Sequence, residues 1–91
     1  MIKYALKDTI TDNRNGETNV YFSGKDGYIH DELTYVDAYT RKHFVERKIK
    51  NEISFLSAMI GGKYIDERHC IESKYWEHEF EIVEIECKEM E

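Results

Sequence analysis

The C-terminal stretch YWEHEFEIVEIE has a glutamate at almost every second position. Side chains on one face of a β-strand recur every second residue, roughly 6.6 Å apart. We therefore expect Glu77, Glu79 and Glu81 to form a regular row of negative charge, here called the acidic row. Such a row mimics the charge of a phosphate backbone and suits a basic groove in a nucleic-acid-handling protein. It is also what the solvent-facing side of any half-buried strand needs, because glutamates there discourage edge aggregation.

Zinc-binding residue types are present at His69, Cys70, His78 and Cys87. Zinc sites usually bring ligands in pairs such as CxxC, whereas the close pair here is the adjacent dipeptide His69-Cys70, so we predict no metal site. A Cys-His dipeptide matches no nucleophile motif, and the glutamates single out no acid–base pair. The sequence therefore predicts no catalytic residue, no cofactor and no enzyme activity.

Two further segments carry lysines but no phosphate-binding pattern. SGKDG at Ser23 to Gly27 lacks the P-loop spacing and predicts a turn, since it opens no helix. RKHFVERKIK at Arg41 to Lys50 is the one basic cluster, in a chain of net charge −6. An acidic chain without a nucleic-acid motif is a poor ligand for nucleic acid, so we predict no direct contact with it.

The excess negative charge is concentrated at the C-terminal end. Residues 1 to 71 hold equal numbers of basic and acidic residues, whereas residues 72 to 91 hold eight glutamates against Lys74 and Lys88. This distribution predicts a basic protein partner.

Ninety-one residues predict a single domain, 1–91, with a modest hydrophobic core. Two cysteines do not make a secreted disulfide framework, and the N-terminus MIKYALKD lacks the apolar region of a signal peptide. No apolar run approaches the length of a membrane span. We therefore expect a cytoplasmic protein with no membrane role.

The N-terminal third predicts an antiparallel meander. Alternation places Ile2, Tyr4 and Leu6 on one face of the first strand, and the pair Asn15-Gly16 is a strong hairpin signal. The predicted strands are Ile2 to Ile10, Thr18 to Ser23, and a short one beginning at Tyr28 and Ile29.

One long helix is predicted after the meander. Thr40 is a candidate N-cap, and Gly61-Gly62 marks the end of the helix. Its apolar residues spread over roughly half of the circumference, more than one sheet usually covers. We therefore expect something other than the sheet to cover the rest of this apolar face, either the segment Lys63 to Ser73 or another subunit. The residues predicted at such an oligomer interface are Phe44, Phe55 and Met59.

The last strand is predicted over Tyr75 to Cys87. Its apolar set changes face in the middle, from Trp76, His78, Phe80 and Ile82 to Val83, Ile85 and Cys87. A strand changes its buried face through a bulge or by being buried on different faces at its two ends. We predict a bulge at Ile82-Val83. The fold class that results is α+β, a small antiparallel sheet packed against one helix in the order β-β-(β)-α-β.

Four short segments resemble parts of small accessory proteins carried by phages and mobile elements of low-GC Gram-positive bacteria. They are KYALK at Lys3 to Lys7, YFSG at Tyr21 to Gly24, DAY at Asp37 to Tyr39, and EIVEIE at Glu81 to Glu86. The resemblance spans most of the chain and implies an accessory protein that binds and blocks a host component, including CRISPR effectors and other defence nucleases. It carries over no catalytic residue.

These observations lead to two hypotheses. The first is a non-enzymatic inhibitor or regulator that binds a basic host protein through an acidic, aromatic surface. Its residues are Glu77, Glu79, Glu81, Glu84, Glu86, Tyr75 and Trp76. The alternative is a homo-oligomer, such as a dimer, that holds a small ligand such as a nucleotide at a subunit interface lined by Arg41, Lys42 and aromatic residues.

Overall fold

Two long antiparallel strands from opposite ends of the chain form the centre of the sheet. The computed structural model describes residues 2–26, 29–31, 36–65 and 69–86. Strand β1 (Ile2–Asp12) pairs along its whole length with the last strand (Trp76–Glu86), which is β6 in chain order. The register runs without interruption from Ile2 opposite Glu86 to Asp12 opposite Trp76. The two chain ends are thereby held together by the longest pairing in the fold.

The N-terminal meander is present as predicted. Strand β2 (Glu17–Ser23) returns along β1 through a turn in which Gly16 has a positive φ of 75°. The side chain of Asn15 accepts a hydrogen bond from the Glu17 amide at 2.8 Å, which supports the same turn. Strand β3 (Ile29–His30) pairs with β2. Tyr28, where we expected the third strand to begin, lies outside the described residues.

The helix α1 (Lys42–Ile60) ends as predicted but begins later. Gly61 closes it with a φ of 63°, a left-handed conformation that glycine adopts without steric cost. The predicted N-cap Thr40 is wrong. Arg41 occupies that position with an extended backbone and no side-chain capping bond, and no acidic residue lies in the first turn.

Two short strands that the sequence did not predict extend the sheet beyond β6. They are β4 (Lys63–Ile65) and β5 (Cys70–Glu72), and the strand order is β3-β2-β1-β6-β5-β4. All pairings between the described strands are antiparallel, and the α+β prediction is confirmed. The described part of Lys63 to Ser73 thus joins the sheet edge, where Tyr64 pairs with Ile71. No helix in the described ranges has the length and apolar character to cross a bilayer.

The bulge predicted at Ile82-Val83 is wrong, and the alternative that the strand is buried on different faces at its two ends is right. Phe80 is buried on the face that meets the helix. Val83, on the other face, lies opposite Ala5, which is fully buried, and is itself partly buried. Each end of β6 therefore has its own apolar face, and the backbone needs no extra residue to change sides.

The hydrophobic core lies between α1 and one face of the sheet, here called the helix-side face. Val45 and Ile49 of the helix pack with three sheet residues, Leu6, Ile71 and Phe80. Alternation then places the even-numbered residues of β1 and β6 on this face and the odd-numbered ones on the opposite face, here called the outer face. The five buried side chains are all apolar, so this cluster anchors the helix to the sheet.

A polar network joins the helix to the segment that follows β3. Lys48 Nζ donates a hydrogen bond to Asp37 Oδ2 at 2.9 Å, and the Tyr39 hydroxyl donates to the same oxygen at 2.7 Å. Partial burial alone would raise the pKa of Asp37, but these two hydrogen bonds and the charge of Lys48 lower it below its usual value of 3.8. The bond from Tyr39 to Asp37 raises the pKa of Tyr39.

We expect Asp37→Asn to lower the free energy of unfolding by about 1 kcal/mol at pH 7. A carboxylate with a lowered folded-state pKa stabilises the fold above its unfolded-state pKa, and this contribution is lost as the pH falls through the folded-state pKa. The difference between wild type and variant should therefore shrink below pH ~4. Urea denaturation at several pH values measures it, with the exposed Asp31→Asn as the matched control. A difference that stays constant across this range would contradict the ion-pair assignment.

Candidate functional site

The acidic row lies on the outer face, as its spacing predicted. Glu77, Glu79 and Glu81 are odd-numbered residues of β6, and the register places them opposite Thr11, Thr9 and Lys7 of β1. The strand is regular through this segment, so same-face side chains recur at roughly 6.6 Å. The described helix lies on the other face of the sheet, and the row is therefore not covered by it.

A lysine at one end of the acidic row offsets part of its charge, and a further glutamate lies beside its other end. Lys7 Nζ lies 3.4 Å from Glu81 Oε2, and this solvent-exposed ion pair offsets part of the charge at one end. At the other end β5 adds Glu72 directly opposite Glu77. Glu72 and Glu77 are both half-buried, and each also takes part in an interaction within the chain. Sequence reasoning missed Glu72 because nothing local indicated that β5 pairs with β6.

The other two predicted glutamates do not belong to this surface. Glu84 and Glu86 are even-numbered, lie opposite Tyr4 and Ile2, and are exposed on the helix-side face. The five glutamates expected to act together are thus divided between two faces of the sheet. The expectation of one continuous acidic surface failed because the glutamates change from odd to even positions between Glu81 and Glu84 while the strand stays regular.

Tyr75 and Trp76 are both exposed, as expected, and both contact a cation of the same chain. The guanidinium carbon of Arg14 lies 5.4 Å from the Tyr75 ring centroid and 5.1 Å from that of Trp76. Arg14 also forms a two-bond pair with Asp12, at 3.0 and 2.9 Å. These hydrogen bonds lower the pKa of Asp12 and raise that of Arg14. Trp76 pairs with Asp12 on the helix-side face, so its ring is not beside the acidic row.

The three helix residues expected at an oligomer interface are exposed. Phe55 and Met59 have relative exposures of 59% and 67%, and Phe44 lies 5.8 Å from the Tyr39 ring. The sheet covers the part of the helix that carries Val45 and Ile49, which leaves this flank to solvent. Contact with a second copy of the chain stays a prediction.

The zinc-type residues are separated by the sheet. Cys70 is fully buried at an outer-face position opposite Glu79, whereas His78 lies on the helix-side face, and Cys87 is outside the described residues. Ligand atoms of Cys70, Glu72 and Glu77 lie within 4.8 Å of one another, but each of the three has an interaction partner. Burial of the Cys70 sulfur also removes it from contact with a substrate.

A cavity of about 490 Å³ lies along one flank of the helix. The alternative hypothesis placed Lys42 at a subunit interface, but here Lys42 lines a cavity within one chain, together with Tyr64. The lining also includes Lys50 and Glu46, whereas the Glu81 carboxylate lies on the outer face, where it pairs with Lys7. Nucleotide binding stays a prediction.

Asp8 and His78 form a buried carboxylate–imidazole pair on the helix-side face. The sequence analysis did not identify this pair. Nδ1 of His78 is 2.9 Å from one oxygen of Asp8 and 3.3 Å from the other. The two side chains are 13% and 8% exposed. This contact orients the imidazole and leaves Nε2, which no described residue contacts through a hydrogen bond, as the nitrogen available to a ligand.

The sequence contained a signal for this pair. Asp8 interrupts the apolar face of the first strand between Leu6 and Ile10, and His78 interrupts that of the last strand between Trp76 and Phe80. Burying either polar side chain alone would cost free energy, because it would lose its hydrogen bonds to water. A hydrogen bond between the two side chains avoids this cost. Predicting it also required the β1–β6 register, which joins residues seventy positions apart.

No family model, curated protein sequence or solved structure matches this chain. The acidic row and the surface around Asp8 and His78 are therefore interpreted from their own geometry.

Proposed function

We propose that the chain is a non-enzymatic accessory protein that binds a basic host protein and inhibits or regulates it, as counter-defence proteins of phages do. The observation that supports this is the acidic row on the outer face. Three evenly spaced carboxylates on a regular strand, with Glu72 beside them, create a directional negative surface. Such a surface accelerates encounter with a positively charged groove and selects against acidic partners.

The row is rigid enough to act as a template. β6 is paired on both sides, by β1 along its whole length and by β5 across Glu77 and Glu79, so its side chains project from a fixed backbone. A fixed array loses little entropy on binding, in contrast to charges on a mobile tail. The proposed partner is a protein whose basic groove otherwise holds nucleic acid.

A binding assay on immobilised basic nucleic-acid-handling proteins, CRISPR effectors included, tests the proposal. Replacing Glu77, Glu79 and Glu81 with Gln should weaken binding at low salt by roughly tenfold, since each exposed charge contact contributes about 0.5 kcal/mol. Wild-type affinity should fall steeply as salt rises, and duplex DNA should compete. The matched control makes the same charge change away from the row, at Glu46, Glu84 and Glu86, which are all exposed.

Equal loss of binding in the control variant would show that only net charge matters. Unchanged binding by the Glu77, Glu79 and Glu81 variant would contradict the proposed role of the row.

A further inference from the structure

A cavity of about 530 Å³ opens on the helix-side face at the hairpin end of the sheet. The register arranges much of its lining in two rows across neighbouring strands. The volume falls within the range of about 300–1,000 Å³ that is typical of pockets for small ligands. One row consists of Glu17, Asp12 and Trp76, and the other of Asn19, Ile10 and His78.

The charge of this cavity favours a cation. None of the described residues that line it is Lys or Arg, whereas Asp12 and Glu17 contribute two carboxylates. Asp12 is paired with Arg14, which does not line the cavity, but among the described residues the Glu17 carboxylate has no ion-pair partner. Asp8 adds a third negative charge through its contact with His78. The cavity therefore keeps a negative potential with Arg14 included, and an anion would be repelled.

The side-chain types in the lining favour a planar cation over a compact one. Tyr21 and Trp76 supply aromatic rings, and Ile10 supplies an apolar surface. A guanidinium group stacks on aromatic rings and pairs with carboxylates through several donors, whereas an ammonium group is compact and more strongly hydrated. Arg14 shows the same chemistry at the rim, because it pairs with both oxygens of Asp12 and lies over the Trp76 ring.

We propose that this cavity binds the side chain of an arginine residue presented by a partner protein. Glu17 pairs with the guanidinium group, Trp76 contacts its face, and the methylene groups of the arginine lie on Ile10 and Tyr21. The Asn19 carbonyl and His78 Nε2 are available as acceptors for further N–H groups, with Asp8 holding His78 in place. The inference rests on the proposed function only for the basic character of the partner. The cavity and the acidic row lie on opposite faces of the sheet, so each can be tested without the other.

Titration with a short peptide tests the cavity separately from any partner. The probe is an N-acetylated, C-amidated glycine-arginine-glycine peptide, followed by NMR on the isotope-labelled full chain. Trp76 is the one tryptophan of the sequence, so its indole N–H gives a single assigned reporter inside the site. We expect saturable shifts of Trp76, Asn19 and His78 together, with a dissociation constant in the millimolar range. The citrulline peptide, which has nearly the same shape without the charge, should bind at least about threefold more weakly.

Two variants locate the binding. Glu17→Gln should raise the dissociation constant about two- to fivefold, as expected for loss of one exposed ion pair. Glu17 is exposed at the hairpin turn, so the variant should fold. Glu84→Gln makes the same charge change on the same face outside the cavity lining and should bind as wild type does.

The row variant, with Glu77→Gln, Glu79→Gln and Glu81→Gln, should bind the peptide as wild type does, which separates this site from the acidic row. Failure of the row variant to bind a basic protein would leave the peptide result unchanged. Equal affinity for the citrulline peptide, no effect of Glu17→Gln, or shifts confined to Trp76 and Arg14 would each overturn the proposal. The last result would mean that the peptide merely displaces Arg14 at the rim.

Discussion

Replacing Ile71 with alanine is expected to lower the free energy of unfolding by about 3–4 kcal/mol. Ile71 is fully buried on the short strand β5 and packs against Val45 and Ile49 of the helix and against Phe80 of β6. Truncation removes apolar contacts and leaves a cavity that the surrounding strands are too constrained to fill. A domain of this size has only about 5–10 kcal/mol of total stability, so the variant should be partly unfolded at modest urea concentration.

Urea denaturation followed by circular dichroism measures the effect. Ile2→Ala is the matched control, because Ile2 is 54% exposed at the start of β1, and it should cost less than about 1 kcal/mol. Similar losses for the two variants would mean that β5 does not belong to the cooperative core. The sheet would then end at β6, and Glu72 would not be held opposite Glu77.

Replacing His78 with alanine is expected to destabilise the fold by about 3 kcal/mol, because it leaves Asp8 buried without its partner. The double variant Asp8→Ala with His78→Ala should lose less than the sum of the two single variants. The coupling free energy of this double-mutant cycle should reach at least about 1.5 kcal/mol, since the contact is largely removed from water.

The exposed pair of Asp26 and His30 provides an internal reference. Its shortest contact is also close, 2.8 Å between His30 Nε2 and Asp26 Oδ2, but its side chains are more exposed than those of Asp8 and His78. The same cycle there should give a coupling below about 1 kcal/mol. Equal coupling at the two sites would show that burial does not strengthen the contact of Asp8 with His78.

Local patterns in the sequence were sufficient to predict the elements whose residues are close together in the chain. The hairpin was predictable because Asn15-Gly16 favours the positive φ that the turn requires, and the helix was predictable from its 3.6-residue apolar period and Gly61. Period-two alternation also placed Glu77, Glu79 and Glu81 on one side of their strand. These features depend on residues a few positions apart, which the linear sequence displays directly.

Local patterns could not predict the start of the helix or the two short strands at the edge of the sheet. Arg41 is the N-cap residue and makes no side-chain capping bond, so the usual preference for threonine at the N-cap did not locate the start of the helix. The strands Lys63–Ile65 and Cys70–Glu72 are three residues each, too short for alternation to be recognised. They exist because β5 pairs its backbone groups with the edge of β6, and β4 then pairs with β5.

The sequence by itself thus determined the class of fold, the C-terminal charge and the side of the strand on which the acidic row lies. Only the tertiary structure decided that Glu72 joins this row, that Glu84 and Glu86 do not, and that Asp8 meets His78 beside the cavity. The physical reason is that a strand's own pattern fixes its two faces. Which charges and rings become neighbours depends on the register between strands that are far apart in the chain.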